Sequence, residues 1–189
     1  MSDLADDDWG ALAEQMHAEV SAYFAVLHEV ASGDEPGATL PVLLLAVGQL
    51  CGAGARIGAL VDVVPEERFE PDAGPESDLE EVRARLHALL GGLDTYCDLA
   101  DPVLSGEVVS GSLSADLVAI AADLEHGRAH HEAGRPTEAM WWWQFSYLSS
   151  WGERAASALR VLLALLSHVR LDASDEQVME AEMAALHQV

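Results

Sequence analysis

Lysine and asparagine are absent from this 189-residue chain, and all nine basic residues are arginine. Isoleucine occurs only as Ile57 and Ile120. These three residues use AT-rich codons, so their joint scarcity predicts a bacterial genome of high GC content. Adaptation to high salt would also disfavour lysine, but it gives no reason to lose asparagine and isoleucine. Positive charge is equally short: 33 acidic residues stand against 9 basic ones, for a formal net charge of -24. So negative a surface repels phosphate backbones and anionic lipids, so direct nucleic-acid binding and a membrane association are not expected. The same charge keeps the chain soluble and can steer a basic partner toward it.

Cysteine is nearly missing. Cys51 and Cys97 form no CxxC pair and sit in apolar stretches, which reads as two buried free thiols rather than a zinc or redox site. The opening "MSDLADDDWG" has no basic segment, so a signal peptide is not expected. The longest apolar run, "LPVLLLAVGQLCGAGA" from Leu40, is slightly short for a membrane span and carries Gln49, Pro41 and three glycines. It reads as a buried central helix, and a cytoplasmic location is expected. Strand-like alternation of apolar and polar residues is missing as well.

What is present is helical periodicity. Half of the residues are apolar, enough for one domain with a real core. The expectation is an all-α, single-domain antiparallel bundle of about six helices. After an acidic tail over 1–7, a first helix spans about 8–31, its apolar stripe marked by Leu12, Met16, Val20, Phe24 or Tyr23, and Leu27. A second starts at Thr39, a candidate N-cap, with glycine pairs Gly48/Gly52 and Gly54/Gly58 that would let another helix approach closely. A long surface loop occupies 62–77, and Ser77 with Glu80 forms a capping box for a third helix running to about Leu99, bent at Gly91-Gly92. After a loop over 101–112, a fourth helix spans about 113–133 behind Ser112 or Ser114. A fifth runs unbroken from Thr137 to about Val169, and a short C-terminal helix spans 174–187.

Two stretches, "GSLSADLVAIAADL" and "WWWQFSYLSSWGERA", carry a resemblance. They are similar to an acidic "GSLADDLADIYRDL"-like helix and a "WEWRFSFxxHWGRHA"-like helix of a bacterial family of uncharacterised proteins, domain-of-unknown-function family 5063. The matching frame is Gly111, Ser112, Leu113, Asp116, Leu117, Ile120, Asp123 and Leu124, then Trp141, Trp143, Phe145, Ser146, Trp151, Gly152 and Ala155. The resemblance covers residues 96–166. It implies an all-helical bacterial cytoplasmic protein and carries no activity with it. The chain departs from the family's charged or histidine positions at Ala115, Ala119, Trp142, Gln144, Ser150, Glu153 and Arg154.

Several constellations could carry chemistry. Asp116 and Asp123, seven apart, share one face of the fourth helix, as do Glu125 and Glu132 on a neighbouring strip. Paired helical carboxylates can hold magnesium or manganese, although Asp116 in a first turn also suits the helix dipole. His126 and His130, one turn apart beside His131, are weak metal candidates near a helix end. Glu14 and His17 have the Glu-x-x-His spacing of di-iron bundles, but no second such pair exists. Ser146, Ser149 and Ser150 have no histidine nearby in sequence.

In the tryptophan-rich helix, Trp141, Phe145, Leu148, Gly152, Ala155 and Leu159 form a core stripe, extended by Leu162, Leu163 and Leu166. Gly152 leaves room for a ring from a neighbouring helix. Trp143, Tyr147 and Trp151 could line an apolar-ligand pocket. With Asp116, Asp123 and Ser150 they are the candidate pocket residues. Trp142 shares its strip with polar residues and is the candidate interface anchor. The leading reading is a non-enzymatic interaction or assembly protein with a protein partner or a second copy of itself, and no cofactor is expected. The alternative is a divalent-metal-dependent hydrolase of small phosphorylated substrates that uses Asp116 and Asp123.

Overall fold

The computed structural model describes residues 3–59, 62–65, 78–101 and 103–171. Helices α1 (Asp3–Ser32) and α2 (Thr39–Gly58) are followed by α3 (Glu80–Leu90). Two strands, β1 (Thr95–Asp101) and β2 (Ser105–Ser112), then lead into α4 (Leu113–Glu132), α5 (Pro136–Ser146) and α6 (Gly152–Leu171). Helix α1 begins at Asp3, so residues 3–7, expected as a tail, belong to it. Ser77, most of the 62–77 loop, the side chains of residues 1–7 and the proposed helix over 174–187 lie outside what is described.

The bundle follows from its apolar stripes. Along α1, Met16, Val20, Tyr23 and Leu27 are buried at helical spacing, and the Tyr23 hydroxyl donates to the Leu117 carbonyl of α4 (2.8 Å). Helix α2 is long and apolar enough to cross a membrane by length and composition, yet it packs on α1 and α6 with Leu43, Val47, Leu50, Ala53 and Ile57 in the core. It runs antiparallel to the tryptophan-rich segment. Gly48 faces Leu159, and Gly54 faces Trp151 and Tyr147 further along. Of the four spaced glycines, Gly54 and Gly58 form the close approach. A Cβ at either would fall 2.6 or 2.5 Å from carbons of the Tyr147 ring, whereas Gly52 meets nothing.

The strands correct the sequence reading. The third helix ends at Leu90 rather than Leu99, and Gly91, at φ 53°, ends it rather than bending it. Residues 95–112, expected as helix end and loop, pair as an antiparallel hairpin with Tyr96 opposite Gly111 and Leu99 opposite Val108. Asp101 shapes its turn, accepting from the backbone N–H groups of Val103 (2.7 Å) and Leu104 (2.8 Å). The hairpin escaped notice because most of it is exposed, so neither strand needs an apolar alternation.

Ser112 caps α4 as expected, its Oγ accepting from the Ala115 N–H (3.3 Å). Thr39 is the first residue of α2 and caps nothing, while Asp78 accepts from the Glu80 N–H at the start of α3.

The expected fifth helix is interrupted. Between α5 and α6, residues Tyr147–Trp151 form a π-helical turn. Ser146 and Ser149 donate back to the carbonyls of Trp142 (2.6 Å) and Phe145 (2.7 Å), a competition with backbone hydrogen bonding that loosens helical geometry. Gly152 closes the turn, and the ring it accommodates is Tyr147 from the same segment, not one from a neighbouring helix. The turn shifts the register of α5 against α6, so the expected stripe fails at Phe145 and Leu148. Phe145 is 52 % and Leu148 64 % exposed. Leu163 is exposed as well.

Candidate functional site: a cleft between the hairpin and the π-turn

The cleft is built on three supports. From below, α4 presents Asp116. From one side, β1 presents Tyr96 and Asp98. From the other, the π-turn and the start of α6 present Ser149, Ser150, Glu153, Arg154 and Ser157. The cleft is open to solvent and its volume is about 410 Å³. A second lobe of about 590 Å³ opens beside it, walled by Cys97, Leu99 and Val108 of the hairpin and Ala156 and Arg160 of α6. The lobes share Asp98, Leu99, Glu153 and Ser157 as lining and therefore adjoin one another.

Tyr96 lies across its strand partner Gly111, where a Cβ would stand 2.5 Å from the ring. From there its hydroxyl donates to Asp116 Oδ2 at 2.6 Å. Burial, reinforced by this bond to a carboxylate, pushes the Tyr96 phenol well above its ordinary range. Arg154 donates to the other Asp116 oxygen at 3.1 Å. Ser150 donates to Asp123 at 2.6 Å. Arg160 reaches Asp98 at 2.8 Å, and a hydrogen bond from Ser157, with the Leu99 N–H and Arg160, holds the Asp98 carboxyl below the usual range. The π-turn is what brings Ser150 and Arg154 toward α4, and such turns recur at functional sites.

Of the sequence-derived pocket residues, Asp116 and Ser150 line this cleft and Asp123 stands behind Ser150. Trp143 and Trp151 do not line it; both are fully buried. Trp143 lies on Gly127 of α4 and donates its indole N–H to the Leu124 carbonyl (3.1 Å). Trp151 packs edge-on against Tyr147 (ring centroids 4.8 Å) and onto Gly54. Where these residues could have lined an apolar-ligand pocket, aromatic rings sit directly on glycine backbone.

Trp142 is half-buried. Its ring stacks on His126 (5.0 Å) and meets Trp141 and Phe145 edge-on, while its indole N–H is buried without an acceptor among the described residues. His126 is thus part of an aromatic stack, and His130 is buried in the core. Among the described residues, no group of three or more histidine, cysteine, aspartate and glutamate side chains is placed to hold a metal ion. Glu125 and Glu132 flank Arg128, which pairs with both. Of the two thiols, Cys51 is half-buried, and burial pushes its thiol up, whereas Cys97 is exposed, against expectation.

Three features were not read from the sequence. Gln144 is buried and ties two segments together, donating to the Ile57 carbonyl and accepting from the Val63 N–H, both at 2.8 Å. Asp94, 1 % exposed, accepts from Ser114 N–H (2.7 Å), Ser112 Oγ (2.8 Å) and Ser114 Oγ (3.1 Å) and pairs with His87 (2.8 Å). His17 of α1 stacks flat on His131 of α4, with ring centroids 4.2 Å apart. No local pattern marks Asp94, which lies 18 residues before Ser112 and reaches the start of α4 only because the hairpin folds back between them.

Sequence comparison matches residues 7–168 to the family described as "Domain of unknown function (DUF5063)". The match extends beyond 96–166 to take in the first three helices. Among curated proteins none matches. Among solved structures, the crystal structure of protein BF1032 from Bacteroides fragilis, a structural-genomics target, has a similar fold. Its TM-score is 0.59 at 16 % identity, over 88 % of this chain and 92 % of that one.

Proposed function

Starting from the chain's membership of the DUF5063 family, we propose that it is a non-enzymatic helical interaction protein that docks a partner through α5 and the π-turn that follows it. The observation that carries this reading is the exposure of Phe145 (52 %) and Leu148 (64 %) beside the half-buried Trp141 and Trp142. Trp141 stacks on Phe145 (5.5 Å), so the ridge is an ordered aromatic surface rather than scattered apolar residues. Residues 139–152 carry no charge, in a chain of net charge -24. A partner with apolar anchors inside a basic rim complements such a surface, whereas a second copy would bring two strongly negative molecules together. A cytoplasmic location accords with this reading.

The metal-hydrolase alternative has less support. Asp116 has both oxygens engaged by Tyr96 and Arg154, and Asp123 is bonded to Ser150, so a metal would have to displace donors already in place.

Photo-crosslinking tests the docking reading. A crosslinker at position 145 is expected to capture a partner that one at Leu104, the exposed hairpin tip, does not. The pair Phe145→Glu and Leu148→Glu is then expected to weaken the purified complex roughly thirtyfold or more, as for an interface anchor. Because both side chains are exposed, circular dichroism should stay unchanged. Affinity that survives both substitutions would remove α5 as the docking surface.

A further inference from the structure

The two-lobed cleft has chemistry that the α5 ridge does not use. Each lobe by itself is of the size of small-ligand sites, and the two differ in character. One end is polar, around Asp116, Ser150 and Arg154. The other is walled by Leu99 (43 % exposed), Val108 (65 % exposed) and Ala156. The charges do not cancel. Arg154 is engaged by Asp116 and Arg160 by Asp98, which leaves the exposed Glu153 carboxylate at the junction of the lobes, outside every described ion pair. The net charge of the chain adds to the negative potential there, and a cleft concentrates such a field.

We propose that this cleft binds an alkylammonium ligand, its cationic head at Glu153 and its apolar body along Leu99 and Val108. A free aliphatic amine and the lysine side chain of a docked protein offer the same chemistry.

The two sources separate by chain length. Titration of the full chain with n-butylamine, n-hexylamine and n-octylamine, followed by NMR shifts or calorimetry, is expected to show saturable binding that weakens with salt. If affinity rises about fourfold per methylene through eight carbons, the apolar lobe holds a free amphiphile. If it levels off at four, the lobe is cut for a lysine side chain. Glu153→Gln is expected to weaken hexylamine roughly two- to fivefold while leaving 1-hexanol unchanged. Leu99→Ser should flatten any chain-length dependence without removing the salt dependence. The proposal is overturned if no amine binds, if hexanol binds as well as hexylamine, if hexanoate binds more tightly than either, or if Glu153→Gln changes nothing.

Discussion

Helix α4 borders two regions of opposite construction. Toward α5 it offers Leu124 and Gly127, and Trp143 fills the space completely, its one polar atom bonded to a backbone carbonyl. Toward the hairpin and α6 it offers Asp116 and Asp123. There the neighbours are a tyrosine, an arginine and a serine around open volume. The first contact is sealed by shape, because a glycine and a large ring exclude anything else. The second is held by directional bonds between groups that water or a ligand can also satisfy, so it stays open without loss of order. The difference teaches that one helix can be sealed by shape on one face and bordered by open, polar volume on another.

The largest effect should break the sealed side. Trp143→Ala would leave a cavity against Gly127 and is expected to cost about 3–5 kcal/mol in urea unfolding. Phe145→Ala, two residues along the same helix but half-exposed, should cost about 1 kcal/mol or less. Equal costs would mean that the sealed and open faces of α5 are not distinct.

The contrast also explains what could be read in advance. Apolar period marked α1 and located Met16, Val20 and Leu27 in the core, and the apolar run of α2 marked it as a buried helix, because burial at 3.6-residue spacing is a local property of the chain. The hairpin was missed because it is held by its turn, its base and a few polar ties such as Tyr96–Asp116. None of these leaves a pattern. The π-turn was missed for a related reason: one extra residue per turn changes no residue type, yet it moved Phe145 and Leu148 to the surface and Ser150 and Arg154 to the cleft. The sequence points to Asp116 and Ser150, but Tyr96 and Arg154, 20 and 38 residues from Asp116, meet it only through the fold. Many of the residues matching the family pattern do structural work here. Gly111 seats Tyr96, Ser112 caps α4, the Leu117 and Leu124 carbonyls accept from Tyr23 and Trp143, and Gly152 seats Tyr147.

A middle-sized effect should come from the base of the hairpin. Burial opposes the charge on Asp94, but hydrogen bonds from His87, Ser114 and Ser112 outweigh it and hold the carboxyl below its ordinary value. Its stabilising contribution is therefore present above about pH 3.8, the unperturbed value, and is lost as pH falls through the folded value. Asp94→Ala strands several buried donors and is expected to cost about 2–4 kcal/mol at pH 7. Tyr96–Gly111 cross-peaks in NMR should weaken with it, since the Asp94 carboxylate joins the base of the hairpin to α4 through the Ser114 N–H and both serine hydroxyls. A variant that loses no stability, or that keeps the wild-type acid response below pH 4, would show the site to be held by the hairpin alone.

The smallest effect concerns the stacked pair His17 and His131. Burial of His17, then the nearby His131, lowers its basicity in the fold, and Arg128 acts the same way while Glu132 and Glu14 pull against it. The unfolded chain therefore takes up a proton at His17 more readily than the folded one. The contribution is fully present above about pH 6.5 and is lost as pH falls below that value. General protonation of the many carboxylates begins lower and affects wild type and variant alike. The informative quantity is thus the change in urea midpoint between pH 7.5 and 5.5, wild type minus His17→Gln. Wild type should lose more stability over this interval than the variant, by less than either change described above. If the two lose the same amount, the stacked rings are not a proton-linked contact between α1 and α4.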